Sequence, residues 1–221
     1  MLVKTRGIVL NYIKYGDTSI IVKVYTEKLG LKSYIINGMR SARAKGKIAL
    51  FQSLTLLDLV VYTQNKDLNR IKEFQVSETI HSIPYEVRKS AIALFMAELL
   101  VKSIREEEEN NSLFDFIFQS ILILDHMDKG YMNFHLQFML KLSRFLGFAL
   151  ETADNLRIDL QFPPDLNQPI NNLLNSRYEN EIYLPKELRL EILEILQTFY
   201  KYHFHIHGEF KSVKVLREVM N

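Results

Sequence analysis

The chain has 221 residues, 48% hydrophobic and 24% charged, with no cysteine. It is long enough to bury one large core or two modest ones, and it can form neither a disulfide nor a thiolate metal site. Its formal net charge of +2 hides a split: residues 1–80 carry 13 Lys+Arg against 6 Asp+Glu, a net of +7, and residues 81–221 carry 15 against 20, a net of −5.

No apolar run approaches the ~20 residues that cross a bilayer. The opening MLVKTRGIVLNYIKYGD lacks the small-residue cleavage site of a signal peptide. The expectation is a cytoplasmic protein with no membrane partner. A basic module attracts polyanions in a way that an averaged charge does not, which makes nucleic acid the first partner to test.

Five of eight glycines lie before residue 50 and all five prolines after residue 80, as expected for short strands joined by Gly turns followed by another kind of structure. Residues 5–14 are β-rich and end at Tyr15-Gly16-Asp17. Residues 18–26 place Ile20, Val22 and Val24 on one face and Ile21, Lys23 and Tyr25 on the other. After a turn at Lys28-Leu29-Gly30, residues 31–37 alternate Lys32, Tyr34 and Ile36 with Leu31, Ser33 and Ile35. Residues 53–63 and 68–77 supply a fourth and fifth strand. Five short strands with one long basic connection predict a closed barrel of OB type over residues 1–80.

Beyond Pro84 the period becomes helical. Helices are predicted over 86–107, 112–128, 131–147, 186–204 and 211–220, with residues 150–184 irregular because they hold three prolines and an Asn-rich stretch. The run Glu106–Glu109 opposes the macrodipole of the first of these and is expected to fray it. The fold class expected is α+β: an N-terminal five-stranded barrel over 1–80 and an all-α domain over 81–221.

The segment Met39–Lys47 holds Arg40, Arg43, Lys45 and Lys47 and no acid. Each cation placed on a phosphate releases condensed counterions, which drives salt-sensitive binding. Alone, such a run is more often a solvated loop. The same barrel also carries Lys4, Arg6, Lys14, Lys23, Lys32, Arg70 and Lys72, interleaved with Tyr12, Tyr15, Tyr25 and Tyr34. Aromatic faces stack on unpaired bases while cations track the backbone; the opposing reading packs Tyr12 and Tyr34 inside the barrel. The candidate nucleic-acid contacts are therefore Arg6, Lys14, Lys23, Lys32, Arg40, Arg43, Lys45 and Lys47, with Tyr12, Tyr25 and Tyr34 for stacking. A nucleotide P-loop is rejected: seven residues rather than four separate Gly38 from Gly46, and Ile48 follows Lys47 where Ser or Thr belongs.

His203, His205 and His207 invite a metal reading, but no third ligand motif matches it, and helix-terminal histidines suit the dipole. No metal or other cofactor is expected. No nucleophile elbow, metalloprotease helix or dinucleotide fingerprint is present, and the expectation is a protein without catalytic turnover. Seven phenylalanines between 114 and 148 load the helical half with aromatic core, and Lys141 and Arg144 are candidates for the rim of a peptide groove.

The ordered set Gly7-Ile8-Val9-Leu10, Tyr15-Gly16-Asp17, Thr26 to Gly30, Gly38-Met39-Arg40, Phe51-Gln52-Ser53-Leu54 and, near the end, Phe210-Lys211-Ser212-Val213-Lys214-Val215-Leu216 resembles the bacterial DNA repair and recombination mediator family RecO. The resemblance implies an OB domain followed by a helical one, binding to single- and double-stranded DNA, and annealing of complementary strands. It also implies work with RecR to load RecA onto DNA coated by single-stranded DNA-binding protein, whose acidic C-terminal tail docks on the helical domain. Many members carry a four-cysteine zinc module after the third helix; this cysteine-free chain has residues 150–184 in that place. From the residues alone, two other readings stay open: a scaffold whose basic barrel meets an acidic protein, and an RNA-binding barrel.

Overall fold

A computed structural model describes residues 1–40, 46–63, 68–105, 108–157 and 161–220. Five strands, β1 (Leu2–Tyr15), β2 (Ser19–Thr26), β3 (Gly30–Ile36), β4 (Leu56–Tyr62) and β5 (Leu68–Glu78), close into a barrel in the order β1-β2-β3-β5-β4. All pairings are antiparallel except the short parallel join of β3 and β5 through Ser33–Leu68, Tyr34–Asn69 and Ile35–Arg70. This is the OB-type barrel expected. Strand β4 starts three residues later than the sequence pattern suggested, because Gln52–Thr55 are spent on a turn over β1.

The barrel interior is built by alternation. Val9, Ile20, Val22, Val24, Tyr34, Ile36, Leu57, Leu59 and Val61 point inward, and Met39 and Phe51 join them from the β3–β4 connection. A short 3-10 helix, Lys47–Phe51, lays Ile48 and Leu50 on that core.

Strand β1 is bent by a bulge between Val9 and Asn11. The Phe51-Gln52-Ser53-Leu54 stretch satisfies the carbonyls the bulge leaves over: Ser53 Oγ donates to the Leu10 carbonyl at 2.9 Å and the Leu54 N–H to that of Val9 at 2.6 Å. Gly7 on β1 is required by space. A Cβ there would lie 2.6 Å from Leu59 Cδ1 and 2.8 Å from Val24 Cγ1.

The helices are α1 (Val87–Ser103), α2 (Asn111–His126), α3 (Phe134–Phe145), α4 (Ala153–Arg157), α5 (Asn167–Asn175), α6 (Lys186–His203) and α7 (Ser212–Val219). The chain divides into two compact units. One holds Met1–Ile80 with Ile104–Gln119, the other His81–Ser103 with Ser120–Asn221.

The 150–184 segment corrects the expectation of irregular structure, since α4 and α5 lie within it. Asn side chains make these short helices. Asn155 accepts the N–H groups of Glu151 and Thr152, Asn171 accepts that of Ala153, and Pro164 opens the turn before α5 without wasting a donor. In the helical unit α1 packs on α3 and α7, and α3 packs on α5 and α6.

Two carboxylates lock this second unit. Asp125 accepts the N–H groups of His81, Ser82 and Ile83 at 2.8, 2.7 and 3.0 Å. The buried Lys89 ammonium closes the same knot, donating to Ser82 Oγ at 2.6 Å and the Asp125 carbonyl at 3.0 Å. Burial alone would raise the Asp125 carboxyl, but the backbone donors and Ser82 hold it below its ordinary value. Glu98 plays the same part for α7, taking the Lys211 and Ser212 N–H groups and the Ser212 hydroxyl. The Lys-Ser pair of the closing motif is thus a helix start held by a distant acid.

Candidate nucleic-acid interface

Pairing register shows which side chains share the outer surface of the barrel, because directly opposed residues project to the same side. On β1, β2 and β3, and onto β5, three successive outer rows run across the strands. They are Tyr15–Ser19, with Ser19 Oγ bonded to Asn37, then Ile13–Ile21–Ile35–Arg70, then Asn11–Lys23–Ser33–Leu68. None of these residues is acidic. Ile13 is 60% and Tyr15 51% exposed; Arg70 is exposed and Lys23 half-buried.

At the Tyr15 end the β1–β2 turn is tied to the segment after β3. The Arg40 N–H donates to the Thr18 carbonyl at 2.8 Å, and its guanidinium donates to the Gly16 carbonyl at 2.9 Å. This holds Arg40 on the turn that follows Lys14 and Tyr15, with Asp17 the one acid in the turn. Lys14 pairs with Ile20, in the inward-pointing set, but sits one residue from the strand end and is exposed. Among the described residues no ion pair engages Lys14, Lys23 or Arg40. Lys47 is exposed at the start of the 3-10 helix. Arg43 and Lys45 lie outside the described residues.

The other candidate residues go elsewhere. Arg6 is engaged by carboxylates and aromatic rings. Its guanidinium meets Glu27 at 2.7 and 3.2 Å and Asp115 at 3.1 Å, and lies 5.0 Å over the rings of both Phe114 and Phe118. The hydrogen bond to Glu27 holds Arg6 above its ordinary pKa against the effect of burial, and Arg6 in turn lowers Glu27. Arg6 lines a cleft of about 610 Å³ over β1, β4 and β5. Three cations there, Lys4, Arg6 and Lys28, stand among three acids, Glu27, Asp58 and Glu73. Lys72 pairs with Glu73 at 3.2 Å. The basic charge of the barrel is therefore divided between two faces, and one of them is neutralised. Lys32 pairs with Val24 and belongs to the inward set, on the opposite side of the sheet from Lys23.

Of the three tyrosines offered for stacking, burial corrects Tyr25 and Tyr34, and Tyr12 is half-buried. Tyr34 is 1% exposed inside the barrel, and burial pushes its hydroxyl up to about 12. Tyr12 packs half-buried against the same core. Tyr25 is on the outer surface but fully covered, stacked 6.1 Å from Phe114 of α2. Tyr15, 51% exposed, and Tyr62, 39% exposed and directly opposed to Arg70, are barrel aromatics that stay open. What sequence reasoning missed is the row Ile13–Ile21–Ile35. The signal was its parity, opposite to that of the core residues on each strand.

In the helical unit, Lys141 donates to the carbonyls of Leu174 and Ser176 at 3.3 and 2.8 Å and lies 5.7 Å from the Tyr178 ring. Burial, with Arg144 nearby, lowers its pKa. Lys141 is therefore occupied in closing α5 and is not an open rim cation, whereas Arg144 is exposed. His203 is packed 4.3 Å from both Phe148 and Phe199. No group of three His, Asp or Glu gathers among the described residues, and no described helix is long and apolar enough to cross a membrane.

Residues 1–80 match the family model described as Recombination protein O N terminal, and residues 84–161 match Recombination protein O C terminal. The chain is 38% identical over 242 aligned positions to a DNA repair protein RecO of Bacteroides fragilis, and 35% identical over 242 to that of Phocaeicola vulgatus. It is 35% identical over 240 to that of Flavobacterium psychrophilum. In each comparison the alignment covers the whole of both proteins.

Proposed function

The chain belongs to the Recombination protein O family, and on that premise we propose that it is a non-catalytic recombination mediator that holds DNA on the outer face of β1–β2–β3. The observation that carries this reading is the placing of Lys23 and Arg70 in acid-free outer rows of the sheet, with the β1–β2 turn fixed by Arg40 and Lys14 exposed at the strand end beside it. Phosphates neutralised there lose their mutual repulsion, which is what two complementary strands need in order to meet. Single strands and duplexes both present phosphates to such a face, and annealing follows from bringing two screened strands together.

Family membership supports the remaining roles: action with RecR, recruitment by the acidic tail of single-stranded DNA-binding protein through the helical unit, and delivery of RecA to the coated strand. Arg144 remains a candidate contact for that tail.

The test is fluorescence anisotropy with a labelled single strand across a salt series. The wild type is expected to lose affinity steeply with salt. Lys14→Ala/Lys23→Ala/Arg40→Ala is expected to bind more weakly and to flatten the slope of log affinity against log salt by about 0.7 for each phosphate left without its cation. An unchanged slope sinks the reading. An RNA competitor that displaces DNA at equal concentration shifts the assignment to RNA.

A further inference from the structure

Much of the apolar outer surface of the barrel is covered. Ile8, Leu10 and Tyr25 are fully buried, and Tyr25 lies under Phe114 of α2. The row Ile13–Ile21–Ile35 is left partly open, and beyond Arg70 it continues to Tyr62 and Leu2, which are 39% and 46% exposed. It crosses three adjacent strands in register, and Ile13 at its end is 60% exposed. Ile21 and Ile35 are half-buried, and with Ile13 they form an apolar strip about 10 Å long, from two interstrand spacings of ~4.8 Å. Exposed strips of this kind mark interaction surfaces when polar groups rim them.

Here the rim is cationic. Lys23 lies one outer row to one side, Arg70 continues the strip onto β5, and Lys14 and Arg40 stand at the Tyr15 end. Adjacent outer rows are two residues apart along a strand, roughly 7 Å. The occupant that fits must carry flat apolar groups and a flanking line of negative charge. An unpaired nucleic-acid strand has this form. A duplex does not, because its bases are stacked on one another and it offers phosphates and base edges.

We propose that Ile13, Ile21 and Ile35 form a base platform that makes this face prefer unpaired strands, with aliphatic contact in place of the aromatic stacking usual in such barrels. At a stacking rise of about 3.4 Å, the strip accommodates two or three bases. The inference rests on the DNA-binding reading above and adds to it the form of DNA selected and the residues that select it.

The experiment measures Kd for an oligothymidine, a duplex of equal length and an abasic phosphodiester strand, with wild type and with Ile13→Thr/Ile21→Thr/Ile35→Thr. Threonine keeps the β-branched shape that strands favour. The triple variant is expected to bind oligothymidine ~10- to 100-fold more weakly, with an unchanged salt slope, and to match wild type on the abasic strand and the duplex. Undiminished oligothymidine binding, or an equal loss on the abasic strand, overturns the platform. Undiminished binding would mark the strip as a surface for an acidic protein instead.

If the triple variant fails to fold, Ile13→Thr alone, at the exposed end of the row, is expected to cost a few-fold on oligothymidine only; no loss there is equally fatal. The charge variant Lys14→Ala/Lys23→Ala/Arg40→Ala separates the two claims. A neutral isoleucine variant beside a weakened charge variant defeats the platform and leaves DNA binding standing, whereas a neutral charge variant defeats the DNA reading itself.

Discussion

The two outer faces of the barrel carry similar numbers of cations and use them in opposite ways. Over β1, β4 and β5, Lys4, Arg6 and Lys28 stand among Glu27, Asp58 and Glu73, and Arg6 is held on three sides by carboxylates and rings. Over β1, β2 and β3, Lys23 and Arg40, and Lys14 at the strand end, have no acid paired with them among the described residues, and they flank an apolar row whose end residue Ile13 is open. A cation beside a carboxylate has little field left for a distant phosphate, whereas one without a partner keeps it, so position rather than count decides which charges are available. The helical unit follows the first pattern: Asp125 and Glu98 spend their charge on backbone donors.

This contrast can be broken most directly by reversing charge on each face. Lys23→Glu with Arg40→Glu is expected to weaken single-strand binding by ~100-fold or more at low salt, about tenfold for each reversed charge. Lys4→Glu with Lys28→Glu, made on the neutralised face, should change it by no more than a few-fold. Equal losses from the two pairs, measured by anisotropy in the same buffer, would abolish the distinction between the faces.

Asp125 sharpens the meaning of a committed charge. Asp125→Asn leaves three backbone donors facing a weaker acceptor and should cost ~1–3 kcal/mol in urea unfolding near neutral pH. The sign with pH follows from the lowered carboxyl. Its contribution is complete above the unfolded-state value of 3.8 and disappears as pH falls through the lower folded value. Wild type should therefore lose this part of its stability in acid, and Asp125→Asn should show a shallower acid dependence.

Gly7→Ala tests the strand that both faces share. The added methyl meets Leu59 and Val24 inside 3 Å, and an overpacked core of this kind costs about 1–3 kcal/mol in urea unfolding. The smallest effect is expected at Arg6. Its guanidinium is partly exposed, so Arg6→Ala should lower stability by only about 1 kcal/mol. Single-strand affinity should stay within about twofold of wild type. A large drop in affinity in a stable Arg6→Ala protein would return Arg6 to the DNA contacts.

Much of this molecule was determined locally. Period-two alternation in β2 and β3 already separated the inward Ile20, Val22, Val24, Tyr34 and Ile36 from the outward Ile21, Lys23 and Ile35, and glycine turns set the number of strands. The four long helical segments beyond Pro84 and the short last one were equally visible in their periodicity. These features depend on neighbours a few residues apart, and so a linear pattern records them.

What tertiary structure alone decided was partnership across long separations. Arg6 finds Asp115 109 residues away, and Tyr25 is covered by Phe114. Asp125 reaches back to His81, and Glu98 reaches forward to Ser212. A strand pattern tells that Tyr25 points outward but not that a helix lies on it, and it tells that Arg6 is basic but not that its charge is taken. Ile13, Ile21 and Ile35 became a continuous row only when register set them side by side. Outward-facing residues acquire their roles from whatever covers or leaves bare the surface they share, and that is fixed by packing between distant segments of the chain.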